Sequence, residues 1–481
     1  MKEFNSPIGP YIKYKDSTTK LMINLLIALL PIIAFAFYKN GIIPYLEGAT
    51  SFIGMFYPLF FILVASLTGF AVEIIFTKLF LKNKYPNIKD FIKISYGYVP
   101  GIFLGLILPI NTPISILMLG SAIAVIVGKM LFGGFGNNIF NPALVGALFI
   151  LTAYSLVITN NGGYLNNYEL DTISGATPLT NASTIAEIGS YETLVEPYGN
   201  LWDFFIGTIP GAVGETSSLL CIIGFLFLAF TKTIKWKIPF VYVLTVFIMT
   251  ALIGNLNGLG IWFPLFHIFS GGLMFGAVFM ATDPVTSPTT PIGQVLYGLL
   301  LGILTVVLRF LTPYPEGVLT SILTMNMLIF IIDKIGAKSR FKFQHAIIPF
   351  IISWILIGSL GLMIGNKFKQ VDDPNVDTNY NIISATEAGN TVTYLVTQKG
   401  YSGNIKGKIV IEDGKAVSIE ILEVKDDFYP KVEEVDYINK LLSEQDNLEG
   451  VDTVSGVTFT SNGIKKMLIN TLSDYEETYA K

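Results

Sequence analysis

Apolar residues run along this chain in blocks long enough to cross a bilayer, and polar residues gather at the joints between the blocks. A spanning helix takes roughly 17–25 mostly apolar residues. On that test spans are predicted near 21–38, 53–77, 94–110, 114–132, 142–158, 217–231, 238–255, 262–281, 292–311, 318–333 and 346–364, eleven in all. The stretch "FFIGTIPGAVGET" (204–216) is apolar but interrupted by Gly and Pro, which reads as a re-entrant or tilted half-helix. Ahead of the first block lies a polar lead with Lys2, Lys13, Lys15 and Lys20, and no small-residue cleavage site follows the apolar run. The first span is therefore expected to stay attached rather than to be removed as a signal peptide.

Beyond residue 366 the pattern shortens to an alternation. "TYLVTQKGYSGNIKGKIVIEDGKAVSIEILEV" places apolar residues at every second position, with "EDGK" as a hairpin turn between two strands. An amphipathic helix is predicted near 431–445, and "SNGIKKMLINTL" reads as another. The expected fold is a polytopic α-helical membrane protein of about ten spans, with an eleventh as anchor for a small C-terminal α+β domain. In residues, this is a membrane domain at 1–343 with a long loop at 159–203, an anchor at 344–365 and the small domain at 366–481. If the first ten spans form two sets of five, the odd number turns the second set upside down relative to the first, the inverted-repeat plan of many transport proteins. Two echoes agree: "LPINTPI" (108–114) is answered by "TDPVTSPTTPI" (282–292), and Lys129 by Arg309 near the ends of the spans that follow.

Composition confirms the lipid setting, with 52% hydrophobic residues, 14% charged residues and a mean hydropathy of +0.60. Soluble domains carry about 25% charged residues. The one cysteine, Cys221, excludes an intramolecular disulfide and, within this chain alone, a cysteine-ligated zinc or iron–sulfur centre. Two histidines, His267 and His345, leave little scope for haem or a His-based triad. No resident metal site is predicted, and a net charge of −4 does not point to nucleic acid. Lysine and arginine set the orientation. With the N-terminus in the cytoplasm, seventeen fall on inside segments and one, Lys39, on an outside loop, with Arg309 near the outer end of a span. This places the loop 159–203 and everything after the eleventh span outside.

Two near-copies of one phrase occupy those two outside regions: "DTISGAT" (171–177) and "DTVSGVT" (452–458). Gly175 and Gly456 allow a tight turn and close approach of the backbone to a bulky group. Asp171 and Asp452 supply carboxylates, while Ser174, Ser455 and the threonines supply hydroxyls. Turn-exposed N–H groups make a cradle for an anion such as phosphate. No general base stands in the phrase, so it suits binding a phosphate or modifying a hydroxyl better than hydrolysis, and no catalytic residue is assigned. A turn capping a helix would account for one such phrase. Two copies on one side ask for more.

These phrases resemble the flavinylation motif, in which a dedicated transferase joins FMN by a phosphoester to the final Thr. Residues 1–343 are similar to the D subunit of the Rnf ion-translocating electron-transport complex, and to the B subunit of the sodium-pumping NADH:quinone oxidoreductase. The strings that carry the likeness are "FGGFGNNIFNPALVG" (132–146), "DTISGATPLT" (171–180) and "FMATDPVTSPTTPIGQVLYG" (279–298). Residues 344–481 look like a shortened G subunit of the same complex, one anchor followed by an FMN-binding domain, through "GYSGNIKGKIVIEDGKAVSIEILE" and "VDTVSGVTFTSNGIKKML". The resemblance implies covalent FMN on Thr177 and Thr458, with Asp171, Ser174, Gly175, Ala176, Asp452, Ser455 and Gly456 around the two attachment points. It allows riboflavin or a further non-covalent flavin besides. Val457 stands where the family usually has Ala, and "KDDFYPKVEE" replaces the usual Glu-Thr-Pro-Gly segment ahead of the second motif.

The implied protein is a natural D–G fusion in a bacterial cell membrane. It relays electrons through two tethered flavins on the outer side and couples ferredoxin–NAD redox chemistry to Na⁺ or H⁺ movement. Partner subunits bring the iron–sulfur and NAD sites, and a flavin transferase attaches the FMN. Two other readings fit the architecture: flavin-based extracellular electron transfer without ion pumping, and a solute channel or transporter with a ligand-binding outer domain. Asp283, Glu73 and Glu215 are ion-path candidates, because ionisable groups at membrane depth tend to be functional; Asp283 could instead belong to a second flavin site or cap the following helix, and Glu73 and Glu215 have the plain alternative of interfacial or paired carboxylates. "GGFGNNIFNPA" is expected to line a cavity, and His267 to be a packed interfacial residue.

Overall fold

The computed structural model describes residues 17–81, 91–92, 95–163, 177–179, 182, 189–312, 317–342, 344–368, 380–400, 403–424, 429–445, 448, 451, 453–454 and 457–479. The chain divides after Lys369 into a helical unit and a C-terminal unit. Among the described residues, seven helices are long and apolar enough to cross a membrane: α1 (Thr18–Leu46), α2 (Gly54–Phe80), α4 (Ile114–Phe132), α7 (Lys237–Leu256), α10 (Pro291–Leu311), α11 (Val318–Ser339) and α12 (Gln344–Lys367). An eighth crossing is made if α8 (Trp262–Phe269) and α9 (Leu273–Met280), bent by 65°, count as one span. Three further apolar helices, α3 (Tyr98–Ile107), α5 (Pro142–Ala153) and α6 (Ser218–Phe230), run for only 10 to 13 residues. The chain is a multi-pass membrane protein. Each of the eleven predicted spans coincides with a helix or bent pair, but four of them are shorter or broken where hydropathy alone suggested a straight crossing.

Helix packing repeats along the unit: α2 lies against α3 and α4, and α4 against α5; later, α7 lies against α8 and α10, and α10 against α11. Each half also contains an interruption. In the first, Tyr96 takes a left-handed conformation (φ +48) between helical Ser95 and the start of α3. In the second, Gly271 does so (φ +64) between α8 and α9. The 204–216 stretch behaves as its Gly and Pro predict. A short helix, Leu201–Ile206, ends at Gly207 (φ +101), and the buried residues that follow are not helical. Val213 and Gly214 donate their N–H groups to Leu108 and Leu106 at the end of α3, at 3.1 and 2.8 Å.

The helix of the eleventh predicted span, α12, is packed into the bundle rather than isolated, with contacts to α7, α10 and α11. Gly361 and Gly365 in α12 form a small-xxx-small face that admits Leu252 and Leu256 of α7. An added Cβ would stand 2.7 Å from a Leu252 methyl and 2.5 Å from a Leu256 methyl. Asn257, just past α7, donates to the Gly365 carbonyl at 3.1 Å.

The C-terminal unit is a four-stranded antiparallel sheet in chain order, β1 (Tyr380–Ala388), β2 (Thr391–Lys399), β3 (Asn404–Glu412) and β4 (Lys415–Glu423). β3 and β4 join at the predicted turn, where Asp413 and Gly414 both take positive φ (+50 and +82), as a two-residue hairpin loop requires. A short helix, α13 (Tyr437–Ser443), and the long α14 (Thr458–Thr478) cover the apolar face. Tyr394, Val396, Ile409, Ile411, Ile464 and Met467 form the centre of the core. Gly407 on β3 lets α14 approach, since a Cβ there would lie 2.6 Å from the Met467 methyl. Strand β1 has no counterpart in the sequence pattern: it is exposed along most of its length and lacks a clean alternation to read.

Replacing Gly365 with Leu should force α12 away from α7. Overpacking of this kind destabilises by about 1–3 kcal/mol, and a lower Tm of the purified chain than for Gly358→Leu, where nothing lies within 4 Å of the added Cβ, is the expected result.

Candidate functional site

The second motif ends where a helix begins. Thr458 is the first residue of the 21-residue α14 and Val457 its N-cap, so the amide end of a long helix lies at the motif's last residue. Val454 and Val457 are buried in the core, and the Val457 N–H donates to the Val454 carbonyl at 3.0 Å. Ser461 closes the turn: its Oγ accepts from the Val454 N–H at 3.1 Å and donates to the Val457 carbonyl at 2.9 Å. Lys465, one turn further, donates to the Val451 carbonyl at 3.1 Å. Val457, the departure noted in sequence, is thus a core residue holding the turn. Across the sheet, the Tyr394 hydroxyl donates to Asp474 at 2.9 Å and Tyr380 shares a 2.9 Å bond with Thr471, tying α14 to the strands. Asp452, Ser455 and Gly456 lie outside the described residues.

The first motif sits differently. Asp171, Ser174, Gly175 and Ala176 lie outside the described residues, but Thr177 is described and buried, at 2% exposure. Leu179, two residues on, packs on the break between α8 and α9. A Cβ at Gly271 would stand 2.6 Å from a Leu179 methyl and 3.9 Å from a guanidinium nitrogen of Arg309. The end of the motif is therefore seated on the interruption of the bent pair.

Each interruption of the helical unit is served by a buried cation from another helix. Arg309, near the end of α10, donates to the His267 carbonyl at 2.5 Å and the Ser270 carbonyl at 3.4 Å, the last carbonyls of α8. Lys129, at the end of α4, donates to the Ser95 carbonyl and pairs with Glu73 of α2 at 2.8 Å. Lys39, in a π-helical turn of α1 (Tyr38–Ile42), donates to the Ile209 carbonyl and to Thr216 Oγ1 at 3.1 Å, while neighbouring Asn40 reaches the Val213 carbonyl at 3.2 Å. Carboxylates face the opposite ends. A Cβ at Gly97, the N-cap of α3, would collide with the Glu73 carboxylate, and one at Gly272, the N-cap of α9, with that of Glu215. Cations on carbonyl ends and anions on amide ends are the favourable placements for helix dipoles. Lys39 and Lys129 were counted above as loop charges that orient the chain. Both are buried and bound to main-chain carbonyls, so the count properly leaves them out, and sixteen expected inside charges then stand against none outside.

Between α1, α3 and the segment before α5 opens a mostly apolar cleft, with Tyr96, Lys129, Asn138, Asn141 and Asp283 as polar points on its wall. The "GGFGNNIFNPA" segment does line it: Gly133, Gly134 and Gly136 take positive φ (+108, +92, +90), and Phe135 and Asn138 face the space. Asn141 caps α5 by accepting from the Ala143 N–H at 3.1 Å, and its own N–H donates to Asn326 at 3.1 Å. Asn326 then donates to the Thr286 carbonyl at 3.0 Å. Through these two asparagines the signature strings 132–146 and 279–298 meet at one cavity. Asp283 does not cap the next helix; α10 is capped by Thr290, and Asp283 accepts from the Thr286 N–H and hydroxyl at 3.2 and 2.8 Å. Burial raises its carboxyl pKa, against the Thr286 hydrogen bonds and the Lys235 charge. Thr77 and Asn326 were not singled out in the sequence and Lys39 figured there only as a loop charge; lone polar residues inside apolar runs were the available signal. His267 is buried against Phe263, Phe266 and Phe310, as expected of a packing residue.

Comparison with known proteins matches two families to separate stretches of the chain. Residues 6–342 match the NQR2, RnfD, RnfE family, and residues 400–473 match the FMN-binding domain. The chain is 34% identical over 342 residues to the D subunit of the proton-translocating ferredoxin:NAD(+) oxidoreductase complex of Clostridium ljungdahlii, covering 70% of this chain and 96% of the relative. It is 34% identical over 329 residues to the D subunit of the Na(+)-translocating ferredoxin:NAD(+) oxidoreductase complex of Acetobacterium woodii, covering 68% and 92%. It is 37% identical over 256 residues to the B subunit of the Na(+)-translocating NADH-quinone reductase of Chromohalobacter salexigens, covering 51% and 59%.

Substituting Arg309 by Met removes the donors to the His267 and Ser270 carbonyls. Hydrogen bonds from charged groups contribute about 1.5–3 kcal/mol each, so a marked fall in Tm is expected, with Arg309→Lys recovering part of it.

Proposed function

This chain belongs to the NQR2, RnfD, RnfE family and carries an FMN-binding domain at its C-terminus, and on that premise we propose that it is an electron-relaying subunit of an Rnf-like ion-translocating oxidoreductase, holding FMN in phosphoester linkage on Thr177 and Thr458. The observation that carries the reading is the recurrence of the DT[IV]SG[AV]T phrase once in each matched region. Its second copy ends on the first residue of α14. The amide end and positive pole of that helix favour an anion near its first residue. Ser461 and the buried Val454 and Val457 keep that turn in shape. Tethered flavin supplies one- and two-electron chemistry while the protein sets its position and surroundings.

Domain by domain, residues 1–343 correspond to the D subunit, 344–365 to a membrane anchor and 366–481 to a shortened G subunit. Lysine and arginine placement argues for a cytoplasmic N-terminus, with both motifs outside the cell membrane. The repeated packing order of the two halves, each with one interrupted helix, supports two inverted five-span sets. Iron–sulfur relays and the nicotinamide site come from partner subunits, and a flavin transferase makes the phosphoesters. The cleft beside Lys129, apolar with a few polar points on its wall, is the place we assign to a further, non-covalent flavin. The transported ion is Na⁺ or H⁺, with Glu73, Glu215 and Asp283 as the acidic groups of its path.

The mass of the intact protein, purified with its transferase present during expression, tests this directly. Two FMN additions are expected, one after Thr177→Ala and none after Thr177→Ala with Thr458→Ala. A wild-type mass with no addition overturns the reading. Ion uptake into vesicles holding the assembled complex, driven by reduced ferredoxin, tests the translocating half: no uptake leaves a relay without a pump.

A further inference from the structure

Esterifying a hydroxyl sets a steric condition on the residue that carries it. The transferred group comes from an activated flavin, here a flavin dinucleotide. The Thr Oγ–P bond forms, the pyrophosphate P–O bond breaks, a nucleoside monophosphate leaves, and the hydroxyl proton passes to the transferase. Attacking and leaving oxygens stand roughly in line through the phosphorus, and the reacting atoms come within about 3–3.5 Å of each other. The acceptor oxygen therefore needs open space on one side for a nucleotide and for the enzyme that presents it.

Thr177 lacks that space in the folded chain. It is 2% exposed, Leu179 is likewise 2% exposed, and Pro178 between them is buried too. Leu179 sits against Gly271, whose left-handed φ of +64 and missing Cβ leave the leucine just enough room. The surroundings of this seat are closed as well. His267, Ser270 and Leu273 are buried, and Arg309 ties down the His267 and Ser270 carbonyls. Burying a leucine favours the seated state over the open one by roughly ten- to a hundredfold.

We propose that flavin attachment at Thr177 has to precede the seating of residues 177–179 on the break between α8 and α9, and that an unmodified chain, once seated, is closed to the transferase. Seating and attachment compete for one residue, and Leu179 sets the balance between them. A seat that encloses a threonine side chain has no room for a nucleotide, so attachment in turn holds the Thr177 oxygen out of it. The inference rests on the reading of Thr177 as an attachment point, and adds to it the order of events and the residue that enforces the order.

The experiment uses the full-length chain, expressed without its transferase and purified in lipid nanodiscs. Cys221, the chain's one cysteine, is buried, so an introduced cysteine is the site a maleimide reaches. Thr177→Cys should react about tenfold or more slowly than Glu192→Cys, placed at an exposed position of the same loop, and adding Leu179→Ala should recover most of that loss. Equal rates for the two cysteines overturn the proposal, and so does slow labelling that Leu179→Ala leaves unchanged. A second arm needs no variant. The folded wild-type chain is given transferase and flavin dinucleotide, and the peptides holding Thr177 and Thr458 are weighed over time. Thr177 should stay bare here, although it carries FMN in chain expressed with the transferase. A folded chain that gains FMN at Thr177 as fast as at Thr458 overturns the order of events. If Thr177 stays bare even after expression with the transferase, the attachment reading fails, and slow cysteine labelling leaves the seat standing; a filled Thr177 with fast labelling does the reverse.

Discussion

A main-chain carbonyl without a donor is costly inside an apolar bundle, where no water stands ready to replace the lost helical partner. This chain interrupts its helices near Tyr96, near Gly271 and through 207–216, and in each case a buried cation reaches across from a different helix to the stranded carbonyls. Lys129, Arg309 and Lys39 are therefore structural before they are anything else. They fix α4 to the start of α3, α10 to the bent pair, and α1 to the irregular stretch ahead of α6. The cleft, the seat of Leu179 and the position of Glu73 all depend on backbone that can be irregular only because these three side chains satisfy it.

Much of this was legible in the residues. Every apolar block became a helix, the Asp413–Gly414 turn formed, and the Gly- and Asn-rich 132–146 segment did line a cavity. Hydropathy, however, reports the surroundings of a segment and not its course. It does not distinguish a straight crossing from the 10-residue α3 or from α8 and α9 with a 65° bend between them. Charge counting had the converse weakness: Lys39 and Lys129 look like loop residues when only their neighbours in sequence are considered. β1 escaped notice because a strand exposed along most of its length carries no period of two.

At the candidate site, the sequence marked Thr177 and Thr458 with near-copies of one phrase, the second departing at Val457, and the structure separates them further. Thr458 opens a long helix in a small domain whose core includes the motif's own valines. Thr177 is followed by Leu179, wedged on the Gly271 turn that Arg309 braces from the other side. One seat derives its order from a local turn. The other borrows it from a break in a membrane helix, which no local reading of "DTISGAT" reveals, because the residues responsible lie about 90 to 130 positions further along the chain.

The Gly361 and Gly365 face of α12 also has a bearing on how such machinery is put together. A helix that merely tethered a domain would drift in the lipid, and a separately made partner would have to be found, counted and oriented during assembly. Here the tether is locked against Leu252 and Leu256 in the body of the bundle. The domain it carries is thus delivered in fixed one-to-one supply, by the ribosome rather than by an encounter in the membrane.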